Sequence, residues 1–160
     1  MVYRKSNGEI GGIDYREKAP LSAHKDMYLD SLGNVIPDMS TLGATAVGVP
    51  GTVAGVFAVH EKFGSLPMEE LIKPVIALAK NGVVVTEKQA KRIARYREQF
   101  MEVNGDSTKF AQEFQPGDTI KYPELAKTLT IIMENGKEGF YTDPGQQRGR
   151  RQSQSPVLQP

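Results

Sequence analysis

The sequence predicts an α+β fold from three observations: strand-like runs around an Asn-Gly pair near the N-terminus, a change of apolar period after Pro50 from two to between three and four, and a helix-capping signature at Thr86. Met1-Val2-Tyr3-Arg4 and the run from Ile10 to Tyr15 enclose Ser6-Asn7-Gly8. Asn-Gly supplies the positive φ of a tight turn, so residues 1–15 read as a β-hairpin. Met27-Tyr28-Leu29 and Val35-Ile36 flank Asp30-Ser31-Leu32-Gly33-Asn34 as a second hairpin signal, with Pro37 confining the later strand to an edge or an end.

After Pro50, Val53, Val56, Phe57, His60 and Phe63 recur on one side of a helix that Gly64 can end at its C′ position. Pro67 suits the first turn of the next helix, where a missing N–H costs little, and Glu69 and Glu70 suit the positive end of its dipole. That helix is predicted to run towards Gly82 through Pro74, which removes one backbone bond and should kink it. Leu71, Ile72, Val75, Ile76 and Leu78 hold its apolar face on both sides of the proline. Thr86-Glu87-Lys88-Gln89 has the spacing at which Thr hydroxyl and Gln side chain each take the other's backbone amide, so a third helix follows to about Phe100. Residues 104–119 are polar and aperiodic and read as a surface connection. Pro123 opens a fourth helix with Leu125, Leu129, Ile132 and Met133 on one face, closed by Asn135-Gly136.

At 160 residues, 39% hydrophobic and 24% charged, the chain suffices for one ordinary domain with a single modest core. Twenty basic against 19 acidic side chains leave a charge of +1, which argues against bulk attraction to nucleic acid or an anionic membrane. The absence of cysteine excludes disulfides, thiolate nucleophiles, zinc–thiolate sites and iron–sulfur ligation. No apolar run approaches the roughly 18 to 20 residues that cross a bilayer, and Met1-Val2-Tyr3-Arg4 lacks the apolar region of a signal peptide. After Pro144 the composition turns to Gln, Ser and three arginines, Arg148, Arg150 and Arg151, without which the chain is net −2. The domain is therefore expected to span 1–144, with 145–160 a disordered or out-of-frame basic tail; nucleic-acid contact by the three arginines is the lesser reading.

Absent motifs narrow the chemistry. There is no Gly-Lys-Ser/Thr phosphate loop, no His-Glu-x-x-His, no Gly-x-Ser-x-Gly and no Asp-rich calcium loop. His24 and His60 are far apart: His24 lies in a charged loop without a paired ligand, and His60 on a helix reads as a satisfied, partly buried histidine. Gly48-Val49-Pro50-Gly51-Thr52-Val53-Ala54-Gly55 permits close approach to another backbone or to an anion. Its spacing is not that of a dinucleotide fingerprint and no lysine follows, which favours a tightly packed strand-to-helix turn. Arg16, just past a strand, is placed to grip a carboxylate by two hydrogen bonds, although Asp14, Glu17 and Lys18 also allow a solvated charge cluster.

Gly12-Ile13-Asp14-Tyr15-Arg16-Glu17-Lys18-Ala19-Pro20, Asp26-Met27-Tyr28-Leu29-Asp30, Gly33-Asn34-Val35 and Gly48 to Gly55 resemble, in order and spacing, the large subunit of γ-glutamyltranspeptidase, also called glutathione hydrolase. Phe63-Gly64-Ser65-Leu66-Pro67, Ile76 to Val85, and Glu134-Asn135-Gly136 to Phe140-Tyr141 extend the likeness over roughly residues 1 to 143. The resemblance implies part of the αββα sandwich of the N-terminal-nucleophile hydrolases, formed by self-cleavage of a precursor. It implies enzymes that hydrolyse γ-glutamyl amides such as glutathione, or transfer the γ-glutamyl group to amino acids, without a metal or organic cofactor. It implies that Arg16 binds the α-carboxylate of the glutamyl group, while the nucleophile is a threonine at the start of a separate small subunit.

No threonine here is followed by the histidine expected after that nucleophile, so no catalytic residue is expected in this chain. The family has a signal segment and a first stretch of domain before the point matching Met1, so Met1 is expected to be internal to a longer periplasmic or extracellular protein. Loss of the reading frame after Pro144 is the companion expectation. A large-subunit fragment without its partner strands should expose apolar surface and an unpaired sheet edge, and aggregate or fold partially. The rival from another class is a non-catalytic module that binds γ-glutamyl ligands or a separate partner; neither nucleic acid nor membrane is expected to be a partner.

Overall fold

The computed structural model describes residues 1–142, so the predicted tail lies outside the described residues. The described residues divide into two compact units, one built from Met1–Met68 with residues 134–142, the other from Glu69–Met133.

The first unit opens with the predicted hairpin. Strands β1 (Val2–Arg4) and β2 (Ile10–Gly12) pair antiparallel with Tyr3 opposite Gly11. The turn closes through Gly8 N–H to Lys5 carbonyl at 3.0 Å, with Gly8 at φ +91, where glycine alone is unstrained. The hydroxyl end of the Tyr3 ring lies against Gly11, the ring meets Phe63 edge-on at 4.8 Å, and its hydroxyl accepts from Lys62 Nζ at 2.8 Å. The second hairpin contracts to a single bridge, Leu29 with Val35. Backbone bonds from Ile36 to Tyr28 and from Asp30 to Asn34 flank that bridge, and the Asp30 carboxylate, which takes the amides of Leu32 and Asn34 and the Asn34 side chain, closes the turn. These donors, Asn34 first, hold the Asp30 carboxyl below its ordinary value.

Helix α1 (Thr52–Phe63) forms where the period changes, but its packed face differs from the expected one. Gly55 is the buried residue, while Val56 and Phe63 are exposed. Gly64 ends the helix in an extended conformation, φ −68 and ψ 139, not in the left-handed C′ conformation, with its amide bonded to the His60 carbonyl. A short helix, α5 (Glu138–Tyr141), falls within the same unit.

The second unit holds α2 (Met68–Asn81), β3 (Val83–Val84), α3 (Glu87–Asn104), β4 (Thr119–Ile120) and α4 (Pro123–Asn135). Helix α2 runs through Pro74 as predicted. It buries Ile76 and Ala79, whereas Leu71, Val75 and Leu78, spaced i, i+4, i+7, lie on an exposed stripe. Both halves of the capping box are formed at Thr86: its hydroxyl takes the Gln89 amide at 3.2 Å, and Gln89 Oε1 takes the Thr86 amide at 2.9 Å. Helix α3 runs one turn past Phe100, to Asn104. The expected surface connection over 104–119 is more ordered than its composition suggests: Phe110 stacks on Phe100 at 5.1 Å, and Thr119–Ile120 pairs antiparallel with Val83–Val84. Ile120 is buried there because it is the apolar residue of a two-residue strand, too short to show a period. In α4, Ala126 and Ile132 are buried and Leu125 is exposed.

Every buried hydrophobic side chain among the described residues belongs to this second unit. Ile76, Ala79 and Ala126 form one cluster and Val85, Ala90 and Ile120 another, with Tyr122 packed against both. The first unit is instead held where glycine lets backbone meet backbone or ring, and those contacts carry the candidate site. Leu21, Leu32, Val35 and Leu66 of the first unit are exposed.

Candidate functional site

Two segments of the first unit meet at the site. Lys18 and Val49 exchange backbone hydrogen bonds, 3.1 Å from Lys18 N–H and 2.8 Å from Val49 N–H, as an isolated antiparallel bridge. That bridge lays Tyr15-Arg16-Glu17 alongside the Gly48–Gly55 turn. A methyl group built on Gly48 would stand 2.8 Å from Glu17 Cγ; one on Gly51 would collide with the backbone oxygens of both Tyr15 and Arg16; one on Gly55 would penetrate the Tyr15 ring. Three glycines therefore press one face of the turn on residues 15–17. This is the packed strand-to-helix turn among the two sequence readings, since at Gly48, Gly51 and Gly55 the space a Cβ would need is taken by this chain's own backbone and side chains.

Arg16 is thereby fixed at its backbone while its side chain reaches solvent, 84% exposed. Its amide bonds the Asp14 carboxylate at 3.2 Å. Its guanidinium grips the Glu17 carboxylate with two prongs, Nε to Oε2 at 3.2 Å and Nη2 to Oε1 at 3.0 Å. A hydrogen bond from its own backbone amide, then the guanidinium as donor and as charge, hold the Glu17 carboxyl below its ordinary value, with Asp14 opposing. Two cavities adjoin the pair, of about 440 Å³ and 590 Å³, and both are lined by Tyr15, Arg16, Glu17, Pro50 and Gly51. Chemically, the site offers a planar two-pronged cation, already engaged with a carboxylate, at the mouth of a pocket wide enough for a small molecule.

His60 has the bland role read from sequence, its Nε2 2.7 Å from the Leu66 carbonyl, and His24 is exposed. Neither approaches Arg16 in a shared cavity lining. Among the described residues no group of three or more His, Asp or Glu could hold a metal ion, and no helix is long and apolar enough to cross a membrane. Two site residues escaped sequence reasoning. Glu17 was visible only as part of a charge cluster, and its role as the occupant of the Arg16 fork depends on side-chain geometry. Tyr141, which lines the cavity of about 440 Å³, lies 91 residues from its partner Pro50, and only its place in the Phe140-Tyr141 motif singled it out.

Comparison with known proteins bears on these segments directly. A family model described as Gamma-glutamyltranspeptidase matches residues 1–147. The chain is 42% identical over 132 residues to a glutathione hydrolase proenzyme of Pseudomonas aeruginosa, covering 81% of this chain and 23% of that protein. It is 37% identical over 146 residues to the Escherichia coli proenzyme, covering 88% and 25%. The chain thus spans about a quarter of the curated relatives it matches. Among solved structures, Helicobacter pylori γ-glutamyltranspeptidase superposes with a TM-score of 0.86 at 39% identity, covering 94% of this chain and 44% of that one. The enzyme from Pseudomonas nitroreducens, complexed with L-DON, gives 0.79 at 38%, covering 96% and 45%. The observed mixture of small sheets and helices accords with these neighbours. On the family match and these relatives together, the chain belongs to the γ-glutamyltranspeptidase family of N-terminal-nucleophile hydrolases, a family of enzymes.

Proposed function

We propose that this chain is a large-subunit segment of a γ-glutamyl hydrolase and transferase, and that Arg16 receives the α-carboxylate of a γ-glutamyl compound such as glutathione. The observation that carries this reading is the two-pronged Arg16–Glu17 pair at the mouth of the adjoining cavities. A guanidinium whose Nε and Nη2 edge already holds one carboxylate presents the geometry a second would need. The pair is solvent-exposed, where water and salt screen the attraction, so an incoming carboxylate displaces Glu17 at little cost.

In the parent protein, a threonine at the start of a small subunit attacks the γ-carbonyl, with its free α-amine as base. The bond to the leaving amine breaks and a γ-glutamyl ester forms. Water or an amino-acid amine then takes the acyl group and restores the hydroxyl. This chain contributes orientation, since a substrate gripped at its α-carboxylate has its γ-carbonyl held at a fixed reach. The parent is proposed to be self-cleaved and exported to the periplasm or outside the cell. Coverage of 44–45% of the solved chains against 23–25% of proenzymes supports maturation into two chains.

Calorimetric titration of the chain with L-glutamate and with glutathione tests the role of Arg16. Arg16→Ala is expected to weaken binding about tenfold to a hundredfold, the range for hydrogen bonds to charged groups. Arg16→Lys keeps the charge but loses the fork, and is expected to recover only part of it. Equal affinity of wild type and Arg16→Ala would refute the assignment.

A further inference from the structure

Helix α1 begins with a contradiction that a residue far along the chain resolves. The first amides of a helix have no partner within it, and a side chain at the N-cap ordinarily supplies one. Here the N-cap is Gly51, which cannot bear a side chain because the Tyr15 and Arg16 carbonyls occupy the space a Cβ would need. The first turn has no acidic residue either. The Tyr141 hydroxyl fills the gap: it accepts from the Ala54 amide at 3.2 Å and donates to the Pro50 carbonyl at 2.7 Å. One phenolic oxygen thus closes the turn across Gly51, from the residue before it to the third residue of the helix. Phe140 stands edge-on to the Tyr141 ring at 5.1 Å, and Tyr141 lines the same cavity as Arg16.

We infer that Tyr141 is a positioning residue for Arg16: its hydroxyl supplies the cap Gly51 cannot, and so fixes the turn against which the Arg16 backbone rests. The transmission is direct. No compressible side chain lies between Gly51 and the Tyr15–Arg16 carbonyls, so a shift of the turn moves the base of the Arg16 side chain by a comparable amount. The link to ligand binding rests on the carboxylate-binding reading of Arg16; the capping of α1 does not.

The test compares the full chain with its Tyr141→Phe variant, which removes one oxygen and keeps the ring. Amide hydrogen exchange reads the cap, the Arg16 Nε–H resonance reads the guanidinium, and titration with L-glutamate reads the site. In wild type, the Ala54 amide is expected to exchange more slowly than those of Thr52 and Val53, which precede it in the uncapped turn; three equal rates would overturn the inference without any variant. In Tyr141→Phe, Ala54 exchange is expected to rise about fivefold to tenfold, as for loss of one hydrogen bond. The Arg16 Nε–H resonance is expected to shift and glutamate affinity to fall by a similar factor, while the Ala90 and Ile120 amides of the other unit stay protected. An unchanged Arg16 resonance beside faster Ala54 exchange would reduce Tyr141 to a structural cap and overturn the positioning role. If wild type binds no glutamate, the carboxylate reading fails on its own, and Tyr141 is judged by the exchange rates and the Arg16 resonance.

Discussion

Replacing Gly51 with alanine isolates what holds the first unit together. Gly51 has φ −96 and ψ −10, a conformation any residue adopts, so the substitution carries no backbone strain and its cost is steric. The added methyl would collide with two backbone oxygens, those of Tyr15 and Arg16. A flexible side chain could swing away, but a carbonyl moves only with its chain, and that chain is bonded across Lys18 and Val49. Overpacking a tight site costs about 1–3 kcal/mol, and two backbone neighbours place Gly51→Ala near the top of that range. At about 4–8 °C per kcal/mol for a separately melting unit of under about 100 residues, the first unit should melt about 12–24 °C lower. The assay is thermal unfolding followed by NMR resonances of each unit separately. Those of Ala54 and Gly55 should be lost early and those of Ala90 and Ile120 at the wild-type temperature. A variant whose Ala54 and Gly55 signals persist to the wild-type temperature would refute the claim that glycine contacts organise this unit.

Two further outcomes follow from the same geometry. The Glu17 carboxyl should titrate below the ordinary glutamate range in a ¹³C experiment and move back up in Arg16→Ala. Because its folded value is depressed, the stabilisation from the Arg16 pair is present above the unfolded value, and is lost as pH falls through the folded value; acid should therefore free the guanidinium. Thr86→Ala removes the Gln89 amide's acceptor and should destabilise the second unit by about 1 kcal/mol in urea denaturation, leaving the first unit's signals unchanged.

The sequence by itself determined the elements whose signals are local. Asn7-Gly8 specified the first turn, Thr86 and Gln89 specified the start of α3, and Pro67, Gly82, Pro123 and Asn135-Gly136 bracketed two more helices, because caps and turns act over three or four residues. The order of motifs from Gly12 to Tyr141 was enough to indicate the family, and Arg16 stood out within it. Tertiary structure alone decided which faces pack. Leu71, Val75, Leu78 and Leu125 are as apolar as their buried neighbours, and only the arrangement of α2 and α4 selects Ile76, Ala79 and Ala126 for the interior. It also decided the site. That Glu17 occupies the Arg16 fork is a matter of side-chain rotamers between sequence neighbours, whereas Gly51 and Gly55 meeting Tyr15, and Tyr141 capping a helix some ninety residues upstream, are contacts between distant segments. No periodicity encodes them, because each depends on where two backbones come to rest against one another.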